Sequence, residues 1–160
     1  MYIKEVINEN FGDYKKISML IGIGECDFKC CIDANKPISM CQNSKLNTKN
    51  SIYISNKTIL DYYNKSKLTK SIIIGGLEPF LQFIDICELI ECFRDNNIED
   101  DFVIYTGYKE EELEEEIKIL KQFKNIIIKF GRYIPDKESI FDETLGVMLA
   151  SNNQYAKKIS

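Results

Sequence analysis

The sequence predicts a single α/β domain with a largely parallel sheet, and two kinds of segment support this prediction. Short apolar runs without polar alternation, such as Ile72-Ile73-Ile74 and Ile126-Ile127-Ile128, are typical of strands that are buried on both faces. Amphipathic segments of helical length separate these runs, as expected when helices connect parallel strands. The chain has 160 residues, close to the length of about 150 that one domain takes, and we expect one domain over residues 1–160.

The first predicted strand is followed by a long segment that contains four cysteines. Ser18–Ile23 is an apolar run that ends at Gly24, which predicts a buried strand. Residues 25–55 show no helical or strand periodicity, and they exceed the usual limit of about 12–15 residues for a structureless loop. Because cysteines are metal ligands, we expect a bound metal to order this segment.

Three helices alternate with the remaining strands. The helix over 56–67 begins at Ser55 or Asn56, and the helix over 81–93 has apolar residues at helical spacing. The helix over 109–123 has glutamates in its first turns and lysines in its last, which complements the helix dipole. The remaining strands are predicted at Ser71–Ile74, Phe102–Tyr105, Asn125–Phe130 and Leu145–Ala150.

Glycines and polar residues follow the predicted strands directly. In open α/β sheets, ligands bind at the carboxyl ends of the strands. The pattern therefore predicts a ligand site where these ends meet. The candidate residues are Gly24, Gly75, Gly76, Thr106, Gly107 and Lys129.

The composition excludes several classes of function. The chain has no histidine, so it contains no Ser-His-Asp triad and no histidine general base. Its net charge of −4 argues against a nucleic-acid partner. We find no run of about 18 apolar residues and no signal peptide, and we expect a cytoplasmic protein without a membrane anchor.

Charge is distributed unevenly along the chain. Residues 29–70 contain eight lysines and two acids, whereas residues 78–122 contain fourteen acids and four basic residues. The acidic stretch is typical of solvated helix faces. The basic stretch flanks the cysteines, and it suits docking of an acidic partner.

Six cysteines in a reducing compartment indicate metal binding or redox chemistry rather than disulfides. Cys87 and Cys92 are about 140° apart on a helix, and Cys87 lies on its apolar side, which predicts core packing. The other four have three, zero and nine residues between them, unlike the paired C-x2-C of zinc sites. Three thiolates suit a [4Fe–4S] cluster with one open iron. The four cysteines after the first strand are Cys26, Cys30, Cys31 and Cys41.

Several motifs, in order, resemble the radical S-adenosylmethionine (SAM) superfamily. A cysteine segment follows the first strand, and Gly75-Gly76-Leu77-Glu78-Pro79 follows the second. Ile104–Tyr108 and Ser151–Gln154 are similar to later segments of the small anaerobic ribonucleoside-triphosphate reductase activating proteins. The resemblance covers most of residues 18–154.

The resemblance implies an incomplete, open (β/α) barrel that binds a [4Fe–4S] cluster and SAM. The implied activity is generation of a glycyl radical on the large subunit of an anaerobic ribonucleotide reductase, with a flavodoxin- or ferredoxin-type electron donor. The implied cluster ligands are Cys26, Cys30 and Cys41. The implied SAM-binding residues are Met40 beside the adenine, Gly75, Gly76, Glu78 on the ammonium, Pro79, Thr106, Gly107 and Lys129.

Two departures from the family pattern leave alternatives open. The usual cysteine motif is C-x3-C-x2-C, and Asp33 stands where its third cysteine would fall, so Cys41 or Cys31 must replace it. Leu77 is inserted in the glycine turn, which places Glu78 less directly toward a ligand. The alternative functions are a radical SAM enzyme for a small molecule, an electron carrier without SAM chemistry, and a zinc-stabilised interaction module.

Asn153 and Gln154, near the end of the chain, are expected at the surface.

Overall fold

Seven strands form one sheet, and two more form a separate hairpin, in the computed structural model, which describes residues 1–160. The order of strands across the sheet is β3-β1-β2-β4-β5-β6-β9, and β7 pairs with β8. The strands are β1 (Tyr2–Asn10), β2 (Ser18–Ile23), β3 (Ile52–Tyr53), β4 (Ser71–Gly75), β5 (Asp101–Tyr105), β6 (Ile126–Phe130), β7 (Ile140–Asp142), β8 (Val147–Leu149) and β9 (Tyr155–Lys158).

Five α-helices and three 3₁₀ turns connect these strands. Ser55 caps α3, because its side chain accepts a hydrogen bond from the Thr58 N–H. Pro79 opens a 3₁₀ turn, as its fixed φ favours. The helices are α1 (Lys29–Asp33), α2 (Ser44–Asn47), α3 (Asn56–Lys65), α4 (Phe83–Asp95) and α5 (Glu114–Leu120), and the 3₁₀ turns are Ile38–Met40, Pro79–Gln82 and Glu110–Glu112.

The predicted open barrel with a largely parallel sheet is wrong. The four strands β2, β4, β5 and β6 are parallel neighbours, but β1 pairs antiparallel with both β2 and β3, and β9 pairs antiparallel with β6. The sheet is therefore mixed and open, with β3 and β9 at its edges. The sequence does not predict β1, because most of its residues are exposed or half-buried and it has no continuous apolar run.

The predicted strands of the sheet centre agree with the structure to within one residue at each end. The segment 25–55, predicted to lack regular structure, contains α1, α2, a 3₁₀ turn and β3. The predicted helix over 109–123 is a 3₁₀ turn followed by α5. The predicted fifth strand over 145–150 is reduced to β8, which lies outside the main sheet.

The two faces of the sheet are covered very differently. Helices α3, α4 and α5 pack on one face, where a core of 24 buried residues includes Ile72, Phe102 and Ile128. The other face has a core of only six, in which Leu145 and Leu149 contact the sheet. This thin cover leaves room for a cavity between the sheet and the chain around β7 and β8. No helix is long or apolar enough to span a bilayer.

Candidate functional site

A cavity of about 520 Å³ opens at the carboxyl ends of the parallel strands. It extends from the cysteine segment over the thinly covered face of the sheet to Met148 and Leu149. The structure brings most of the predicted site residues to this cavity, but Gly24 and Pro79 lie outside its lining. The predicted residues that line it are Cys26, Cys30, Met40, Cys41, Gly75, Gly76, Glu78, Thr106, Gly107 and Lys129.

Two hydrogen bonds join the cysteine segment, just before α1, to the residues that follow β4 and β5. The Glu78 N–H donates to the Glu25 carbonyl at 2.8 Å, next to the first cysteine. The Tyr108 hydroxyl donates to the Asp27 carboxylate at 2.7 Å. Phe28, at the start of α1, takes a φ of 57°, and its N–H donates to the Cys26 sulfur at 3.3 Å. These contacts hold the segment over the cavity without help from a long helix.

Four cysteines line the cavity: Cys26, Cys30, Cys31 and Cys41. Cys31 is buried, whereas the other three are partly exposed. The Cys30 sulfur lies against Gly107, at the end of β5. Adjacent residues of α1 thus point their thiols in different directions, which separates Cys30 from Cys31.

The cysteine thiols are the right kind of ligand for an iron–sulfur cluster, but they do not surround a common metal position in this structure. Thiolates are the usual ligands of such clusters, and all four thiols line one cavity. No three cysteine or carboxylate side chains are close enough together to hold a metal ion. Cluster binding therefore requires the thiols to draw together. Cys87 and Cys92 pack against the helix-side core, as predicted for Cys87.

Burial raises the pKa of three of the cysteines that line the cavity, Cys26, Cys30 and Cys31. Burial and the nearby Glu78 carboxylate raise the pKa of Cys26 to about 12. Burial raises the pKa of Cys30 as well, although the Tyr133 N–H and the Lys129 ammonium oppose the shift. Burial and the adjacent Cys41 raise the pKa of Cys31. These thiols are protonated at neutral pH, so metal loading must release protons.

The glycine turn after β4 packs closely against the cysteine segment. Gly76 has a φ of +83°, and a Cβ there would lie 2.5 Å from the Leu46 side chain and 3.3 Å from the Gly22 backbone. Asn43 donates a side-chain hydrogen bond to the Gly76 carbonyl. Gly75 faces Tyr105, at 3.0 Å from an added Cβ. Because glycine has no side chain, the chain can adopt this turn and α2 can pack closely against it.

Glu78 is buried, and its carboxylate connects two strand ends. Thr106 donates to one oxygen at 2.7 Å, as does the Phe80 N–H at 3.2 Å, and the Gly107 N–H donates to the other at 2.9 Å. Burial raises the pKa of Glu78 despite these donors. A carboxylate accepts about four hydrogen bonds, and one position on the second oxygen is left. Leu77, the inserted residue, is buried beside it.

Lys129 is a buried cation without a carboxylate partner. Its ammonium donates to the carbonyls of Thr106 and Gly131 at 3.3 and 3.1 Å. Burial lowers the pKa of Lys129 to about 8, although nearby Cys30 and Glu78 oppose the shift. A buried charge held only by neutral carbonyls favours an anionic ligand.

Several residues that contact the site carry no signal for this role in the sequence. Gln154, expected at the surface, is buried and donates to the Gly131 carbonyl at 3.2 Å. Asn43 and the buried Arg132 were not singled out at all. Asparagine in a polar segment and arginine after a strand carry no periodic signal, so only tertiary contacts reveal them.

One comparison with known proteins found a match. A family model described as a 4Fe-4S single cluster domain matches residues 16–155. The matched range includes β2, all four cysteines of the cavity and every predicted site residue. No curated protein and no solved structure matches the chain.

Proposed function

Because this chain belongs to the family of 4Fe-4S single cluster domains, we propose that it uses its cluster to cleave SAM and to form a glycyl radical on a partner enzyme. One observation carries the proposal: four thiols and a buried, unpaired lysine ammonium share a single cavity. The order of the motifs, which resembles that of radical SAM activating proteins, supports SAM as the molecule that is cleaved. A cavity of about 520 Å³ suits a ligand of that size.

Three cysteines would hold the cluster. Cys26, Cys30 and Cys41 follow from the resemblance. Cys31 also lines the cavity, and it is the alternative to Cys41 as the third ligand. A reduced cluster, when bound, supplies one electron to the sulfonium of SAM, which then gives methionine and a 5′-deoxyadenosyl radical.

The other residues of the cavity would bind and orient SAM. Lys129 suits the carboxylate, because its ammonium is buried and has no acidic partner. The remaining acceptor position of Glu78 suits the ammonium of the methionine part. Met40 is half-exposed at the mouth, where it suits the adenine. Thr106 and Gly107 act mainly through Glu78, which they hold in place.

The cover of the site fits a macromolecular target. The second face of the sheet has a core of only six buried residues, and Phe141 and Met148 on the hairpin of β7 and β8 are exposed. A small enclosed substrate would need more cover than this. We therefore propose a large glycyl radical enzyme of the anaerobic ribonucleotide reductase type as the target. We also propose an acidic flavodoxin- or ferredoxin-type donor, which the lysine-rich stretch 29–70 suits.

An electron carrier without SAM chemistry is the second candidate, and one observation favours it. Four cysteines, rather than three, line the cavity, and four thiolates would leave no iron open. In that case Lys129 would balance the charge of the cluster instead of binding a substrate.

One anaerobic experiment tests both candidates. The chain is reconstituted with iron and sulfide and reduced in the presence of SAM, with Cys92→Ser as a matched control outside the cavity. We expect about four irons per chain and release of 5′-deoxyadenosine. A four-iron cluster that leaves SAM intact would favour the electron carrier. A bound zinc without iron would overturn both candidates.

The target is tested with the cognate anaerobic reductase, using electron paramagnetic resonance to detect a glycyl doublet. We expect slow SAM cleavage by the chain alone and productive cleavage with the reductase. The coupling should weaken as salt rises, since exposed charges are screened beyond about 8–10 Å at physiological ionic strength. SAM cleavage with turnover of a small nucleoside or peptide, and no protein radical, would reject the activase.

A further inference from the structure

Arg132 joins three parts of the chain around the cysteine segment. It follows β6, and its guanidinium is almost completely buried. Its two terminal nitrogens grip the Glu112 carboxylate at 2.5 and 2.8 Å, and one of them also donates to the Gly107 carbonyl at 3.3 Å. Its Nε forms an ion pair with Asp33. A bidentate arginine–carboxylate pair fixes orientation as well as distance.

Asp33 is the last residue of α1, the helix that carries Cys30 and Cys31. The helix has five residues and no side-chain cap at its start. A helix this short is not stable by itself in water, so its position depends on tertiary contacts. The ion pair with Arg132 supplies such a contact at the end of the helix, and the hydrogen bond of Asp27 to Tyr108 supplies one before its start.

We propose that Arg132 is a positioning residue: through Asp33 it holds α1 against the strand ends and so sets where the thiols of Cys30 and Cys31 point. The same guanidinium contacts Gly107, against which the Cys30 sulfur lies. Arg132 thus fixes both the helix that carries Cys30 and the surface that Cys30 touches. This role in cluster binding rests on the proposed function, whereas its effect on α1 does not.

The same contact explains the departure from the family spacing. Asp33 occupies the place of the third cysteine in C-x3-C-x2-C, yet it does not line the cavity. Its side chain meets Arg132 instead. Asp33 is therefore not placed to be a ligand, and Cys41 or Cys31 has to supply the third thiolate.

The first test uses the full chain without a cluster, so its result is independent of iron and SAM. Asp33→Asn removes the ion pair at a half-exposed position and leaves the Arg132–Glu112 pair intact. Hydrogen exchange of the amides over 28–36 should become at least about three-fold faster, as expected when a local contact of this kind is lost. The melting temperature should hardly change. Asp33→Glu, which keeps the carboxylate, should restore slow exchange.

A matched control separates this contact from the general loss of a surface ion pair. Lys157 pairs with Glu110 on the same rim at 2.7 Å, without touching α1. Lys157→Met should leave exchange over 28–36 unchanged. Parental exchange over 28–36 in Asp33→Asn, or equal acceleration in Lys157→Met, would overturn the proposal.

The second test uses the reconstituted protein. Asp33→Asn and Arg132→Lys should alter the electron paramagnetic resonance spectrum of the reduced cluster, and Asp33→Glu should keep the parental spectrum. A parental spectrum in Asp33→Asn would overturn the proposed role of Arg132 in cluster binding. If the parent binds no iron, the proposed function fails, while the exchange test still decides the role of Arg132.

Discussion

The Cys30 sulfur lies so close to Gly107 that a Cβ added at position 107 would be 2.7 Å from it. The contact joins the cysteine segment to the end of β5, where the Gly107 N–H also donates to Glu78. A thiol, a glycine and a carboxylate from three separate parts of the chain thus meet at one point of the cavity.

Gly107→Ala should displace Cys30 and weaken cluster binding. Overpacking of this kind costs about 1–3 kcal/mol, so we expect about ten-fold weaker retention of iron against a chelator. Gly12→Ala is the control, because nothing lies within 4 Å of a Cβ at that position. Equal iron retention in both variants would show that the Cys30 contact is irrelevant to the cluster.

Serine at Cys26, Cys30 or Cys41 should abolish cluster uptake, because a hydroxyl is a poor substitute for a thiolate ligand. Serine at Cys31 should leave most of the iron bound. Iron and sulfide content after reconstitution measures the effect, with Cys92→Ser as the control. Full loading in Cys41→Ser together with loss in Cys31→Ser would instead assign Cys31 as the third ligand.

Gly76→Val should remove SAM binding while the cluster stays in place. The φ of +83° strains a β-branched residue by about 1–3 kcal/mol, and the side chain would meet Leu46. Equilibrium dialysis with labelled SAM measures the binding, and the visible absorbance of the cluster reports its retention.

The control for this variant is Leu46→Ala, which makes room on the same side of Gly76 without changing the turn. It should retain SAM binding. If Gly76→Val binds SAM as tightly as the parent, the turn serves the fold alone.

Glu112→Gln should make the unfolding free energy less dependent on pH in the acid range. The Arg132 guanidinium lowers the pKa of Glu112 to about 2, below about 4.3 in an unfolded chain. The stabilisation is complete above pH 4.3 and is lost as the pH falls toward 2. Because the carboxylate is partly exposed, we expect an effect of about 1 kcal/mol.

Urea unfolding at pH 6 and at pH 3.5 measures this effect. The loss of unfolding free energy between the two pH values should be smaller in Glu112→Gln than in the parent. Glu111→Gln is the control, because the exposed Glu111 pairs only with Lys109. If Glu112→Gln loses as much unfolding free energy as the parent between the two pH values, the ion pair with Arg132 does not contribute to the loss of stability in acid.

The pattern of residues along the chain predicts the centre of the sheet and several residues of the site. Strands buried on both faces require continuous apolar runs, and Ile72-Ile73-Ile74 and Ile126-Ile127-Ile128 mark β4 and β6 without reference to distant residues. Since the ends of parallel strands meet at one edge, Gly76 and Lys129 are predicted to share a site, and both line the cavity.

The edges of the sheet and the directions of the thiols depend on contacts between residues that are far apart in the chain. β1 and β9 have mostly exposed or half-buried residues, so their pairing rather than their pattern defines them, and both pair antiparallel with their neighbours. Cys30 and Cys31 are neighbours in sequence, yet Cys31 is buried whereas the Cys30 sulfur lies against Gly107. The direction of each thiol depends on how α1 is held. Asp33 and Arg132 hold it although they are 99 residues apart in the chain, and the local sequence pattern does not predict such a contact.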